Sequence, residues 1–520
     1  MRTTSCALAV LAGLLLPCAY AACGSGKPSL DVVMTDDLAS GDEFPDEGTN
    51  DASETAGEGL GLDGETDGDS PEADAATDAP PNTNDAGLRI ESPILLLEKE
   101  ITNLDWGADQ QFPLDSSSRN PWVRISECDT IGVMFRDVVK SADGTFDTAI
   151  IAQVFDATGD SAPPRGFLAT STRQAAPLPL AGTPIFSSKA DGCKPRFWRA
   201  SDTRPGYDLW SPQPDGTYQA VETQMGLETA LGKVPDSIRH IAGDLDRKEQ
   251  FHLLMEAGFQ DGSSTPVHAW LKDGGWVVER WTYPQEIETC RYAFATDGVV
   301  HAACRVGSNL VHGAFINGAW AYDTAATPGS PDIVMEPSSI AMAGYEIPVI
   351  AFTRMQALED APLGTPQFAW TRLELATRVS ADTWKQETLV TKGDGYQGQD
   401  GDSFTGFGPD VRIDSNGGTH IAFADIAAWH DPNGTQFLEP GQARYARRTA
   451  SGFDFHTVFN QRFEPKKDPL RTLGYQPMLA VSPGGKRAAF LVLERYRNPS
   501  VAPVGTGIAR LRLQLVRTSR

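Results

Sequence analysis

The sequence predicts an all-β protein, a β-propeller of about seven four-stranded blades. Three observations predict it. A short hairpin of two apolar runs around a Gly- or Asp-containing turn recurs along the chain. The composition is turn-rich and aromatic, with 50 Gly, 36 Pro, 11 Trp and 11 Tyr in 520 residues, which suits a β protein better than a helical one. Each end of the folded region also holds what the other lacks.

The clearest hairpin is DVRIDSNGGTHIAFAD, residues 410–425. Val411 and Ile413 alternate with polar neighbours, Asn416-Gly417-Gly418 turns the chain, and Ile421 and Phe423 resume the alternation. That pattern marks an antiparallel pair. Relatives lie at 121–137, 184–201, 237–258, 290–306, 338–354 and 477–494, giving seven in all. The copy at 184–201 is degenerate, and six blades is the count if the early copies are misread. A second hairpin follows most copies, at 268–281, 312–324, 368–390 and 443–459. Its turn is Asp273-Gly274 or Asn317-Gly318 in the clearest cases, dipeptides that favour positive φ in tight hairpins. Four antiparallel strands repeating at about 50 to 70 residues make a propeller blade, which covers its faces only by stacking on its neighbours.

The ends predict how the ring shuts. The last copy has its hairpin and a third strand at 507–518, and then the chain stops. The apolar stretch Leu88 to Ile101 precedes the first full unit and has no partner nearby. It is expected to supply the missing fourth strand, leaving no long free edge. The competing architecture is two packed β-sandwich domains.

Ahead of this domain (88–520) the chain changes character twice. Residues 1–22 have a positive start at Arg2, an apolar core from Ala7 to Leu16 and then small residues, the layout of an export signal. Tyr20-Ala21-Ala22-Cys23 resembles the lipobox of bacterial lipoproteins, which implies lipidation of Cys23 and a membrane anchor at the outer membrane or cell surface. The alternative is cleavage at Ala19-Tyr20-Ala21 and secretion. Residues 23–87 are sparse in apolar residues and dense in acids. Lys27 and 18 acids give -17 over 24–87, so with +1 from Arg2 and a total of -25 the domain carries -9. The segment is expected to be a disordered, extended spacer. A domain at -9 has no basic field to attract nucleic acid.

Cys6 and Cys18 leave with the signal, so four cysteines remain besides Cys23. An even number in an exported chain is consistent with disulfides. Cys290 and Cys304 fall on neighbouring strands of one hairpin, and Cys128 and Cys193 at similar turn positions in consecutive units. The expected pairs are therefore Cys290–Cys304 and Cys128–Cys193. There is no C-x-x-C and no paired-His spacing for zinc.

Three places are candidates for a site. His301 and His420 hold matching positions early in the second strand of their repeats, and they face either a ligand in the channel or a structural hydrogen-bond partner. The Gly- and Asp-rich loop 392–410 brings Asp394, Asp400 and Asp402 close in sequence, so calcium is the one cofactor to consider against a plain rim loop. The insertion 427–445 places Trp429 and His430 on a long loop, where recognition residues often lie. No Gly-x-Ser-x-Gly or His-Glu-x-x-His is present.

The repeats resemble those of bacterial exported β-propeller proteins and are loosely similar to the sialidase-like propellers, whose turns carry Ser-x-Asp-x-Gly-x-x-Trp. Ser187 to Trp198, SSKADGCKPRFW, shares the residue types but not the spacing. The resemblance implies a cell-envelope head that binds a glycan or an envelope protein. Its alternative is a glycoside hydrolase or lyase acting on extracellular polysaccharide. No catalytic residue carries over.

Overall fold

A computed structural model gives the structure. It describes residues 94–101 and, with gaps in connecting segments, 121–518; the larger gaps are 173–181, 358–367, 392–402, 461–469 and 498–507. The domain is a seven-bladed β-propeller, and all seven predicted first hairpins form the inner pair of a blade.

The first strand, β1 (Ile94–Glu100), belongs to the last blade. Blade 1 is β2 (Trp122–Ile125), β3 (Ile131–Lys140), β4 (Phe146–Phe155) and β5 (Gly166–Thr172). Blade 2 is β6 (Gly182–Phe186), β7 (Pro195–Ala200), β8 (Tyr207–Pro212) and β9 (Tyr218–Gln224), followed by the short helix α1 (Leu227–Leu231). Blade 3 is β10 (Ser237–Leu245), β11 (Phe251–Gly258), β12 (Ser264–Lys272) and β13 (Gly275–Arg280). Blade 4 is β14 (Thr289–Phe294), β15 (Val300–Val306), β16 (Asn309–Ile316) and β17 (Ala319–Ala326). Blade 5 is β18 (Asp332–Ala343), β19 (Ile347–Ala357), β20 (Phe368–Ser380) and β21 (Thr383–Val390). Blade 6 is β22 (Ser403–Ile413), β23 (Thr419–His430), β24 (Gln436–Thr449) and β25 (Gly452–Asn460). Blade 7 has an inner strand in two pieces, β26 (Leu470–Leu473) and β27 (Met478–Val481), then β28 (Arg487–Arg497) and β29 (Ile508–Arg517).

Closure follows the expectation. β1 pairs antiparallel with β29, from Ile94 opposite Arg517 to Glu100 opposite Arg512, and becomes the outer strand of blade 7. Leu88 to Pro93, the first part of the expected strand, lies outside the described residues. The inner strands touch in a closed series, β2–β6–β10–β14–β18–β22–β27 and back to β2.

Each blade interface has its own apolar cluster, which is how a sheet with two hydrophobic faces becomes stable. Ile131, Val133 and Phe135 of blade 1 meet Leu491, Leu511 and Leu513 of blade 7. Met134 and Ile150 meet Phe197 of blade 2. Trp198 and Tyr207 of blade 2 meet Phe251, Leu253 and the apolar face of α1. The remaining interfaces repeat the plan, from Trp281 over the Cys290–Cys304 pair to Tyr445 against Phe490. The second strands are therefore buried almost throughout, as in β15, while the outer strands are half exposed, as in β17.

The turns behave as their residues dictate. Asp273 and Gly274 have φ of 53° and 80°, and Asn317 and Gly318 have 54° and 81°. These positive values give hairpin turns whose twist matches the strands. Both expected disulfides are present. Cys290 and Cys304 are direct cross-strand partners with Cα atoms 4.1 Å apart. Cys128 and Cys193 join the first turns of blades 1 and 2, with Cα atoms 5.3 Å apart. No described helix is long and apolar enough to cross a membrane.

Candidate functional site

Inner strands of a propeller converge on its axis, so charged residues there meet across blades. Arg124 on β2 donates from Nη2 to Asp244 Oδ2 on β10 at 3.0 Å. This contact joins blades 1 and 3 and passes over blade 2, so it crosses the channel. Arg412 on β22 donates from Nη2 to Asp410 Oδ1 at 3.0 Å and from Nε to the Leu479 carbonyl on β27 at 2.9 Å. Asp410 Oδ2 accepts the Leu479 N–H at 2.8 Å, and its Oδ1 accepts the Ser339 hydroxyl from β18 at 3.3 Å. Arg124 also acts electrostatically on Asp410 and Arg412, and Asp244 on Arg412. Two guanidiniums and two carboxylates from blades 1, 3 and 6 thus form one neutral group on the axis.

Local backbone irregularity places them. The ladder shifts register between Met335 and Ser339, between Phe407 and Asp410, and between Arg239 and Ala242, two residues before Asp244. An extra residue in one strand bends it and re-aims the side chains that follow. Burial pushes the Asp410 carboxyl above its ordinary range, against the pull of Arg412 and the Leu479 N–H. Burial also lowers the Arg412 guanidinium, against the pull of Asp410. Among the described residues no group of three or more His, Cys, Asp or Glu is placed to hold a metal ion.

The two faces of the ring differ. One carries the tight turns within the hairpins, such as 414–418, 295–299 and 317–318. The other carries the strand ends where the second strand hands over to the third and each blade to the next, such as Ala357 with Phe368 and Val390 with Ser403. The strands reaching this second face are unequal. The middle two strands have 12 and 14 residues in blade 6 and 11 and 13 in blade 5. In blade 4 they have 7 and 8, and in blade 2 only 6 and 6. His420 and His301 hold equivalent register positions, opposite Arg412 and Ala293. From there β23 runs ten residues to His430 and β15 five to Val306. The blade 6 hairpin therefore stands taller by about 16 Å at ~3.3 Å per residue. Blades 5, 6, 7 and 1 make a high side of this face, and blades 2, 3 and 4 a low one.

The sequence-level candidates separate on this frame. Trp429 and His430, expected on a long loop, instead end β23 on the high side, opposite Phe437 and Gln436, because the β23–β24 ladder extends into the insertion. Asp394, Asp400 and Asp402 lie outside the described residues, as does Cys23. His301 and His420 do hold matching positions, but they are 4% and 0% exposed and bonded inside their blades. His420 Nδ1 meets the Tyr445 hydroxyl at 2.6 Å and its Nε2 meets Asp414 Oδ2 at 3.1 Å. His301 Nδ1 meets His312 Nε2 at 3.0 Å.

Sequence reasoning did not single out Arg124, Asp244, Asp410 or Arg412. A signal was available. Arg124, Asp244 and Arg412 each stand two residues before the first turn of their blade, at Ser126, Asp246 and Asp414. Blades 4 and 5 hold Ala293 and Met342 at that register.

No family model and no curated protein matches the chain. Among solved structures it is similar to the β-propeller domain of the Trilobed protease from Pyrococcus furiosus, at 9% identity and TM-score 0.36, over 74% of this chain and 98% of that one. It is also similar to an alpha-L-arabinanase from Penicillium chrysogenum, at 12% identity and TM-score 0.35, over 82% and 98%. A third is the intramolecular trans-sialidase from Ruminococcus gnavus, at 10% identity and TM-score 0.33, over 78% and 97%.

Proposed function

We propose that the propeller is a recognition head that takes a glycan across its loop-bearing face, on an exported chain tethered through Cys23. The height difference between the two sides carries this reading. An extended ligand laid over the low blades meets a wall formed by the long hairpins of blades 5 and 6. Trp429 stands at the end of β23 by its strand position, and the half-buried Trp370 lies near the same end of β20. Trp370 is backed by the Arg372 guanidinium 4.1 Å from its ring centroid. An aromatic ring beside guanidiniums, as at Trp370, suits a sugar, which offers an apolar ring face and many hydroxyls.

The axis supports binding over hydrolysis. Glycoside hydrolysis sets a protonated carboxyl opposite a second, reactive carboxylate. Asp244 and Asp410 are each bonded to a guanidinium instead.

The test is a glycan array probed with the purified full chain and with the Trp429→Ala/Trp370→Ala double variant. Retention of a defined glycan class by the parent, weakened at least tenfold in the variant, is the expected result. Equal binding by both, or turnover of a polysaccharide that vanishes in Asp244→Asn, overturns the reading. Cys23→Ser is expected to move the chain out of the membrane fraction; continued lipid labelling counts against the tether.

A further inference from the structure

We infer that blades 3 and 4 carry an acid-triggered latch, in which paired histidines hold these two blades closed at neutral pH and release them when they take up protons. The pairs sit at one repeated position. On the second and third strands of blade 3, His252 Nδ1 and His268 Nε2 are 3.0 Å apart. On the same strands of blade 4, His301 Nδ1 and His312 Nε2 are 3.0 Å apart. In blade 6 the position of the second histidine is taken by Tyr445.

The blade 6 version shows what the position does. The Tyr445 hydroxyl donates to His420 Nδ1, and His420 Nε2–H donates to Asp414 Oδ2. Asp414 Oδ1 in turn accepts the N–H groups of Asn416 and Gly418, both at 2.8 Å, and so holds the turn. Gly485 of the next blade packs against the same carboxylate, leaving no room there for a β-carbon. Strand, turn and neighbouring blade are thereby joined.

Blade 3 repeats the arrangement with two changes: a histidine replaces the tyrosine, and the contact to the turn carboxylate is an ion-pair distance without a hydrogen bond. His268 Nε2–H donates to His252 Nδ1. His252 Nε2 faces Asp246 Oδ2 at 3.5 Å, and Asp246 Oδ1 accepts the Gln250 N–H at 2.8 Å. Gly298 of blade 4 lies against Asp246 as Gly485 lies against Asp414. This tautomer leaves His268 Nδ1 as a buried lone pair without a hydrogen bond, surrounded by Trp270, Phe315 and Trp320. A bare acceptor is tolerated there more readily than a bare donor. In blade 4 the turn residue is Ala295, so the carboxylate comes from the other side. His301 donates to His312, and His312 Nδ1 donates to Asp323 Oδ1 at 2.6 Å. Asp323 Oδ2 accepts the Trp384 indole N–H of blade 5 at 3.0 Å and lies 3.3 Å from the Arg378 guanidinium.

Protonation leaves the hydrogen bonds of these chains in place but puts a buried charge at their open ends. A proton on His268 makes Nδ1 a donor among aromatic rings, and a proton on His301 places a charge near Arg378. The charged groups facing the blade 3 pair are Asp246 and Asp244, and those facing the blade 4 pair are Asp323 and Arg378. Burial holds His268 and His301 down to about 3. Their stabilising effect is therefore complete above the ordinary imidazole range and is lost as pH falls from there toward 3. Tyr445 does not titrate in that window, because burial pushes its hydroxyl up.

The experiment is amide hydrogen exchange of the full chain from pH 7 to pH 4, corrected for intrinsic rates, with His268→Tyr as the variant that copies blade 6. The opening constant of β10–β13 and β14–β17 is expected to rise roughly tenfold per pH unit for each histidine that takes up a proton. Protection of β22–β25 is expected to fall less steeply, because that chain holds a single histidine, His420, lowered by burial but bonded to the Asp414 carboxylate. His268→Tyr is expected to flatten the rise in blade 3 while blade 4 keeps it. Uniform loss across all blades, or an unchanged profile in a folded His268→Tyr chain, overturns the latch. If that variant does not fold, ring titration of the parent by NMR decides. Titration of His268 and His301 near 6.5 without loss of protection also overturns it.

Discussion

Removing either partner of the axial pair Asp410–Arg412 tests whether the cluster is a structural charge balance. Both groups are largely buried, and the carboxylate also holds the Leu479 N–H and the Ser339 hydroxyl. Asp410→Asn keeps an acceptor for Leu479 but leaves a guanidinium without its counter-charge, and arginine does not lose its proton. A buried ion stranded in this way typically costs about 3–5 kcal/mol. Arg412→Met strands a carboxyl instead, and a carboxyl has an escape. Its pKa is already raised by burial, and without Arg412 it climbs further, so the group folds in as the neutral acid. The sign follows. The protonated form is favoured in the folded state, so the Arg412→Met chain is most stable at acid pH and loses stability as pH rises through the raised value. Asp410→Asn has no such slope. The double variant removes both charges, leaves Arg124–Asp244 balanced, and should cost less than Asp410→Asn alone. Urea unfolding followed by tryptophan fluorescence at pH 5 and pH 7.5 measures all four chains. Single losses that add up in the double variant, or an Asp410→Asn loss under ~1 kcal/mol, would refute the reasoning.

Two further outcomes are expected. The Cys128–Cys193 link closes a separation of 65 residues and Cys290–Cys304 one of 14, so chain entropy makes the first worth about 4 kcal/mol and the second about 3; Ser pairs at each site, compared by urea unfolding, should keep that order. Deleting 94–101 should lower the melting temperature far more than deleting 29–86, because only the first strips blade 7 of its outer strand; equal melting temperatures would contradict closure by β1.

The architecture was legible because it is written redundantly. Seven copies of one hairpin each carry alternating apolar residues and turn residues with a defined φ, and agreement among copies outweighs the degenerate one at 184–201. The closure was legible for a different reason: residues 507–518 stop one strand short and Leu88 to Ile101 had no partner. The disulfides followed once strand positions were known. The axial group was not legible, because Arg124 and Asp244 are 120 residues apart, and only the ring brings alternate blades face to face. The histidine chains fall between these cases. Asp246 with His252 and Asp414 with His420 share a six-residue spacing that a register alignment would have exposed, whereas the reversed chain in blade 4 depends on Asp323 across two strands.

These features divide the ring by face. On the tight-turn face, carboxylates at Asp246 and Asp414 tie turn, strand and neighbouring blade together, and Ser126 and Ser482 cap the turns of blades 1 and 7 through their hydroxyls. Such bonds fix geometry, so variation there meets a cluster that has little room to adjust. The opposite face carries the unequal ends of the second and third strands, where added residues cost little because loop-closure entropy grows slowly with length. A closed ring with one locked face can tolerate that variation, since β1 and β29 hold the circle independently of the loops. The neutral charge group on the axis fits the same division. It ties blades 1, 3 and 6 across the channel without adding a net field, so the sign and shape that a ligand meets are set by the tall side of the loop-bearing face.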